Sequence, residues 1–408
     1  MFFAVGSFAT PHVANAATYV DKRVTAIPAA TLLAKTGDKL VDARRQRAGV
    51  ATRHFVRPLF FAWALAQIVA FFYLWRSGNG ARLRDAMRRR IRNVALLRFA
   101  FGAALLLFSD LASFPIALAR YRVDWIYGLT TENAAAWYRD GCIAATLDAF
   151  VVGVIVAGVF ALVDRTRLWY AYATAGLFVV TLVMAFAEPV VVAPLYNHFR
   201  PLPRTEAIHT TLERLAARAG IGDPPIFVAD DSRRTSTAIA DIAGFGPTLR
   251  IVLSDALLAD ATPGEVVILT AREFGHYAHG DDFRLSLFWT SLFIVCTALA
   301  VVLADRVGFR RDDDPLARLP LVFVFLGLLA LVATPIYNGY SRTLEASADT
   351  YALALTQDRA SAVRVYVRIA DETLAQLCPS RSSRLYFYNS PPLGTRIAEA
   401  AGRADPCQ

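Results

Sequence analysis

Six long apolar runs divide the chain, at residues 59–75, 94–119, 141–163, 168–192, 285–303 and 319–337. Each is near the roughly 17–25 residues with which a helix crosses the hydrocarbon core of a bilayer, so six membrane spans are expected. Residues 1–17 join a short apolar start to a small-residue Ala-Asn-Ala site. They read as a secretion signal lacking its positive start, or as the stub of a further span. Residues 18–58 are polar and helix-prone, with a basic end. Between the fourth and fifth runs the pattern changes. Ile208, Leu212, Leu215 and Ala216 mark one face of a helix that ends near Gly220. Residues 226–229 and 248–253 read as short strands. Thr262-Pro263-Gly264-Glu265 is a capping box with proline at the first helical position, and the helix it opens runs to about His279 before Gly280. No internal repeat or low-complexity tract interrupts this order.

Composition sharpens the picture. Hydrophobic residues make up 56% of the 408, and a mean hydropathy of +0.40 is too apolar for an ordinary soluble protein. The net charge is +9, almost all of it arginine. These arginines flank the apolar runs, which points to lipid headgroups and away from nucleic acid. Six basic residues from Lys39 to Arg57 precede the first run and seven from Arg76 to Arg92 follow it, so charge asymmetry gives no membrane orientation. Within the runs, Arg98 reads as a side chain snorkelling from a helix end. Asp110 and Asp148 read as lining a wet cavity. Of the four cysteines, Cys142 and Cys296 lie in apolar runs and no CxxC occurs, so neither a disulfide framework nor a thiolate metal site is expected.

The candidate chemistry lies on the capped helix, in Thr270-Ala271-Arg272-Glu273-Phe274-Gly275-His276. In a His-Glu-x-x-His helix, two histidines at i and i+4 bind zinc and the glutamate serves as general base. Here Glu273 and His276 stand in place, but Arg272 holds the first histidine position. A guanidinium has no lone pair to give a metal. A second helix, directly after the last run, carries Glu345 and Asp349 four residues apart, on one face with the small Ala348 and Ala352. That face suits close packing, a third ligand, and a carboxylate behind a ligand. Arg272 is expected to take the place of the metal and pair with Glu345 and Glu273, because facing buried carboxylates need a cation. A shifted site using His279 with His276 and Glu345 is the less favoured arrangement.

On these helices the chain resembles the integral-membrane CAAX prenyl protease family, zinc endopeptidases of the gluzincin type. Pro194-Leu195-Tyr196-Asn197, Ser232-Arg233-Arg234, Gly244-Phe245-Gly246, Arg250-Ile251-Val252-Leu253 and Pro391-Pro392-Leu393-Gly394-Thr395-Arg396-Ile397 extend the likeness over roughly residues 59–400. The resemblance implies a mainly α fold, a polytopic membrane helix bundle enclosing a chamber, with a small α+β zincin-like metallopeptidase domain. It divides the chain into an N-terminal segment (1–58), four spans (59–192), a catalytic domain (193–284), two spans (285–338) and a C-terminal part carrying Glu345 (339–408). It implies zinc held by His276 and Glu345, Glu273 as base, Asp349 behind a ligand and Arg396 near the cleft. The partners it implies are membrane lipids and a peptide or lipidated protein; the location is the bacterial plasma membrane, crossed several times. Four positions depart from the family pattern: Arg272, Thr237 and Ile239 before the substrate-binding strand, and Ser390 before Pro-Pro-Leu. Two readings follow. One is an endopeptidase for prenylated or membrane-delivered peptides, with activity weakened at Arg272. The other is an inactive relative that binds such segments or regulates a partner. A transporter built on Asp110 and Asp148 has little support, since no inverted repeat is present.

Overall fold

The structure is a computed structural model that describes residues 24–244, 246–308 and 314–407. The signal-like residues 1–17 lie outside the described residues. Two short helices, α1 (Ala29–Ala34) and α2 (Gly37–Leu40), lead into α3 (Ala43–Arg76), which Asp42 caps by accepting from the Arg44 and Arg45 backbone N–H groups. The basic run after the first span forms its own helix, α4 (Asn79–Arg90), and α5 (Val94–Ile126) and α6 (Ala134–Arg165) follow. Helix α7 (Trp169–Ala187) continues through a π-turn at Glu188–Val192 and a last turn at Ala193–Tyr196.

The middle segment forms a four-stranded sheet of β1 (Phe199–Pro201), β2 (Ile226–Ala229), β3 (Ala240–Ala243) and β4 (Arg250–Ser254), in the order β1-β2-β4-β3. β2 and β4 are parallel and the two outer pairings are antiparallel, which leaves β3 at a free edge. Helices α8 (Ala207–Arg218), α9 (Asp255–Asp260) and α10 (Pro263–His279) accompany it. Then come α11 (Asp281–Gly308), α12 (Pro315–Thr356), α13 (Arg359–Glu372), α14 (Arg381–Phe387) and α15 (Leu393–Ala400).

Six of these helices are long and apolar enough to cross a membrane: α3, α5, α6, α7 with its extension, α11 and α12. Most run beyond the apolar stretches because their polar flanks keep helical periodicity into the soluble part. The expected boundary at residue 338 therefore falls inside α12, a single helix of 42 residues. Apolar side chains such as Leu111, Val179 and Val332 remain exposed on the spans, as lipid-facing surfaces require. Arg98 does not simply snorkel: its Nη1 meets Asp164 Oδ2 at 2.7 Å and its guanidinium lies over Phe160, tying α5 to α6. Asp110 and Asp148 are half-buried.

The soluble core gathers Leu253, Leu257, Ile268, Phe274, Val365 and Ile397, and the N-terminal segment adds Leu32 and Leu40. Contrary to expectation, Cys378 and Cys407 form a disulfide. They are 29 residues apart without a paired motif, and tertiary packing unites them. Both sulfurs crowd Gly394, where an added Cβ would sit 2.8 and 2.9 Å from them.

Candidate functional site

Two helices build the site. Thr262 and Glu265 form the expected capping box of α10, and Gly280 closes the helix with φ 63°. Gly275 then lets α10 approach α12: a Cβ there would lie 3.1 Å from both Ala348 Cα and Tyr351 Cβ. That approach sets Arg272, Glu273 and His276 opposite Glu345 and Asp349.

The guanidinium of Arg272 sits at the centre. Its Nη1 donates to Glu273 Oε1 at 2.6 Å, its Nη2 donates to Glu345 Oε2, and its Nε lies 3.3 Å from Asp349 Oδ1. Ser390 Oγ donates to the same Glu345 oxygen at 3.0 Å. Arg396 closes the far side, with Nε 2.6 Å from Asp349 Oδ2 and Nη2 donating to Oδ1 at 2.7 Å, while its guanidinium rests on the Tyr366 ring. Arg396 thus meets the site through Asp349 and not through the cleft itself.

The remaining pair keeps a ligand-like spacing. His276 Nε2 lies 3.7 Å from Glu345 Oε1, and two nitrogen or oxygen donors of one tetrahedral zinc stand about 3.4 Å apart. His276 Nδ1 is fixed by Asp281 Oδ2 at 3.0 Å. Sequence reasoning missed Asp281, the first residue of the next helix; the signal was an acid two residues beyond His279. His279 does not join a metal arrangement. It faces Ser347 Oγ at 3.4 Å and the Tyr351 ring, and its Nδ1 is 4.0 Å from Asp281. Thr237 and Ile239 stand apart from the ion pairs, just ahead of the edge strand β3. Ile239 N donates to Ser254 Oγ, while Thr237 Oγ1 is buried with no hydrogen-bond partner among the described residues.

Electrostatics follow from burial. Burial works against the charge on Arg272, but Glu345, Glu273 and Asp349 outweigh it and raise its pKa above the ordinary guanidinium value. Burial pushes the Glu273 carboxyl up to about 8, against the pull of Arg272, with Asp241 and Glu345 adding to the rise.

The residues present do not fit a zinc ion. Two ligands are spaced for one, but the third corner holds a cation that has no lone pair. Among the described residues no group of three His, Cys, Asp or Glu side chains is arranged to hold a metal.

Comparison with known proteins agrees with the fold. Residues 203–404 match peptidase family M48, and residues 39–198 match the CAAX prenyl protease N-terminal region of five membrane helices. The uncharacterized metalloprotease YhfN of Bacillus subtilis is 28% identical over 350 residues, covering 84% of this chain and 82% of its own. A CAAX prenyl protease 1 homolog of Arabidopsis thaliana is 26% identical and covers 94% of each chain. The crystal structure of Ste24p from S. mikatae superposes with a TM-score of 0.66 at 20% identity, covering 96% of this chain and 100% of that one.

Proposed function

This chain belongs to peptidase family M48, in the branch of membrane zinc metalloproteases that holds the CAAX prenyl proteases, and from that premise we propose that it is a catalytically silent member. Its site is closed by an internal cation, and its retained surface binds peptide or lipidated segments. The observation that carries this reading is the seat of Arg272 among Glu273, Glu345 and Asp349. A zinc ion bound there would have to displace a buried guanidinium and leave it unpaired beside a dication, which like-charge repulsion opposes. Glu273 is engaged as well, its Oε1 2.6 Å from Arg272 Nη1, so it is not free to take a proton from an attacking water.

The peptide-binding surface is the free edge of the sheet. β3 pairs only with β4 among the described residues and packs against α10, so an extended segment can add a strand beside the site. The second reading is a weakly active endopeptidase, favoured by the 3.7 Å His276–Glu345 spacing.

Zinc per chain, measured in the purified protein and in an Arg272→His variant, separates the two. The expected result is little zinc in the parent chain and near-stoichiometric zinc in the variant. Stoichiometric zinc in the parent would overturn the silent reading in favour of the endopeptidase.

A further inference from the structure

A second cationic site lies away from Arg272, where α3 enters the membrane. A cavity of about 390 Å³ is lined by Val50, Arg53, His54, Arg57, Pro58 and Gln376. Among the described residues no carboxylate lines it. Arg53 and Arg57 lie one helical turn apart, so two like charges face the same space. Arg53 Nη1 donates to Leu374 O at 3.1 Å, and Arg57 stacks over the Phe387 ring at 5.5 Å. The Arg57 Nη2 is buried and has no hydrogen-bond partner among the described residues. A buried guanidinium nitrogen without an acceptor carries a desolvation cost that an oxyanion would remove.

The wall is held in a demanding backbone. Leu374 takes φ 51°, in the left-handed region that a side-chain-bearing residue adopts only at a cost. Its carbonyl comes so close to α3 that a Cβ on Gly49 would stand 2.3 Å from the oxygen. Glycine at position 49 and the turn at Leu374 together set the depth of the cavity and the position of Arg53.

Position along α3 identifies the ligand. The apolar run begins at Leu59, immediately below the cavity, which places the cavity at headgroup height. Below it, on the helical face of His54 and Pro58, Phe61 and Leu65 are exposed. They form an apolar track where an acyl chain would lie.

We propose that this cavity binds the phosphate group of a phospholipid, with Arg53 and Arg57 on the phosphate oxygens and the acyl chains along Phe61 and Leu65. The test uses the full chain, purified in detergent and delipidated, with dioctanoyl phosphatidylglycerol, dioctanoylglycerol and inorganic phosphate as probes. Binding is read by native mass spectrometry and by the shift of each variant's own unfolding midpoint, so a variant of lower stability still reports. The expected result is one phosphatidylglycerol per chain, weakened about tenfold or more by Arg57→Gln, less by Arg57→Lys, and unchanged by Arg89→Gln on the exposed face of α4. Equal binding of dioctanoylglycerol, or an Arg57→Gln affinity within about twofold of the parent, overturns the site. Inorganic phosphate binding as tightly as the lipid overturns the lipid source in favour of a free phosphate.

Discussion

At the scale of single residues, Arg272 turns a vacancy in a ligand set into a closed ion-pair cluster. Removing one member of such a cluster costs more than removing a matched pair, because the partner is left charged and buried. Arg272→Met is therefore expected to destabilise the protein by about 3–5 kcal/mol, and adding Glu345→Leu is expected to recover most of that loss. Denaturant unfolding in detergent checks both, and a single-variant cost below about 1 kcal/mol would refute the pairing argument. The role of Arg272 was legible in the sequence because it follows from side-chain chemistry alone: guanidinium cannot ligate, and the carboxylate opposite needs a cation. Asp281 was not legible as the partner of His276, because their 3.0 Å contact depends on how α11 leaves α10. Ser390 could be named as a departure, but its bond to Glu345 depends on the path of the chain after α14.

At the scale of elements, the α10–α12 crossing decides whether these residues meet at all. Gly275 is the point of closest approach. Gly275→Leu is expected to force the helices apart, to cost about 1–3 kcal/mol by overpacking, and to break the Arg272–Glu345 contact. An unfolding midpoint of the Arg272→Met, Gly275→Leu double variant equal to that of Gly275→Leu alone checks the second part. Full additivity would show that the contact survives the separation. The helices were readable because their signals are long or local: apolar runs near span length, and the Thr262–Glu265 capping box. β1 and β3 were not readable. They are three and four residues long, Pro201 and Asp241 are poor strand formers, and only pairing with β2 and β4 fixes them. The helix of α4 was hidden in a run read only for its charge.

At the scale of the whole molecule, the N-terminal segment and the soluble domain are locked together around two adjacent buried acids, Asp371 and Glu372. Arg45 donates to the Asp371 and Glu372 carbonyls, Asp42 N donates to the Asp371 side chain, and Glu372 Oε2 accepts from Ala238 N. Burial raises Glu372 from 4.5 to about 7, against Arg368 and the Ala238 N–H, with Asp260 adding to the rise. Arg368 is shared with Glu265, so it neutralises Glu372 only in part. The folded state therefore holds this proton more tightly than the unfolded chain. The stability it contributes is fully present below about pH 4.5 and is lost as pH rises through about 7. Glu372→Gln should flatten that decline relative to the parent, in unfolding midpoints taken across pH 4.5–8. Parallel curves would sink the assignment. The spans and their order were legible at this scale. The Cys378–Cys407 bond was not, because it records where the chain's last turn comes to rest.

One feature joins the membrane to the site mechanically. α12 is unbroken from Pro315 to Thr356, with Pro335 inside it and Glu345 about ten residues further on. That distance makes a lever of about 15 Å. A bilayer that changes the tilt of the span by about 5° would swing Glu345 by about 1.3 Å against α10. Hydrocarbon thickness thereby becomes a setting for the grip on Arg272, transmitted along one continuous helix with no ligand in between.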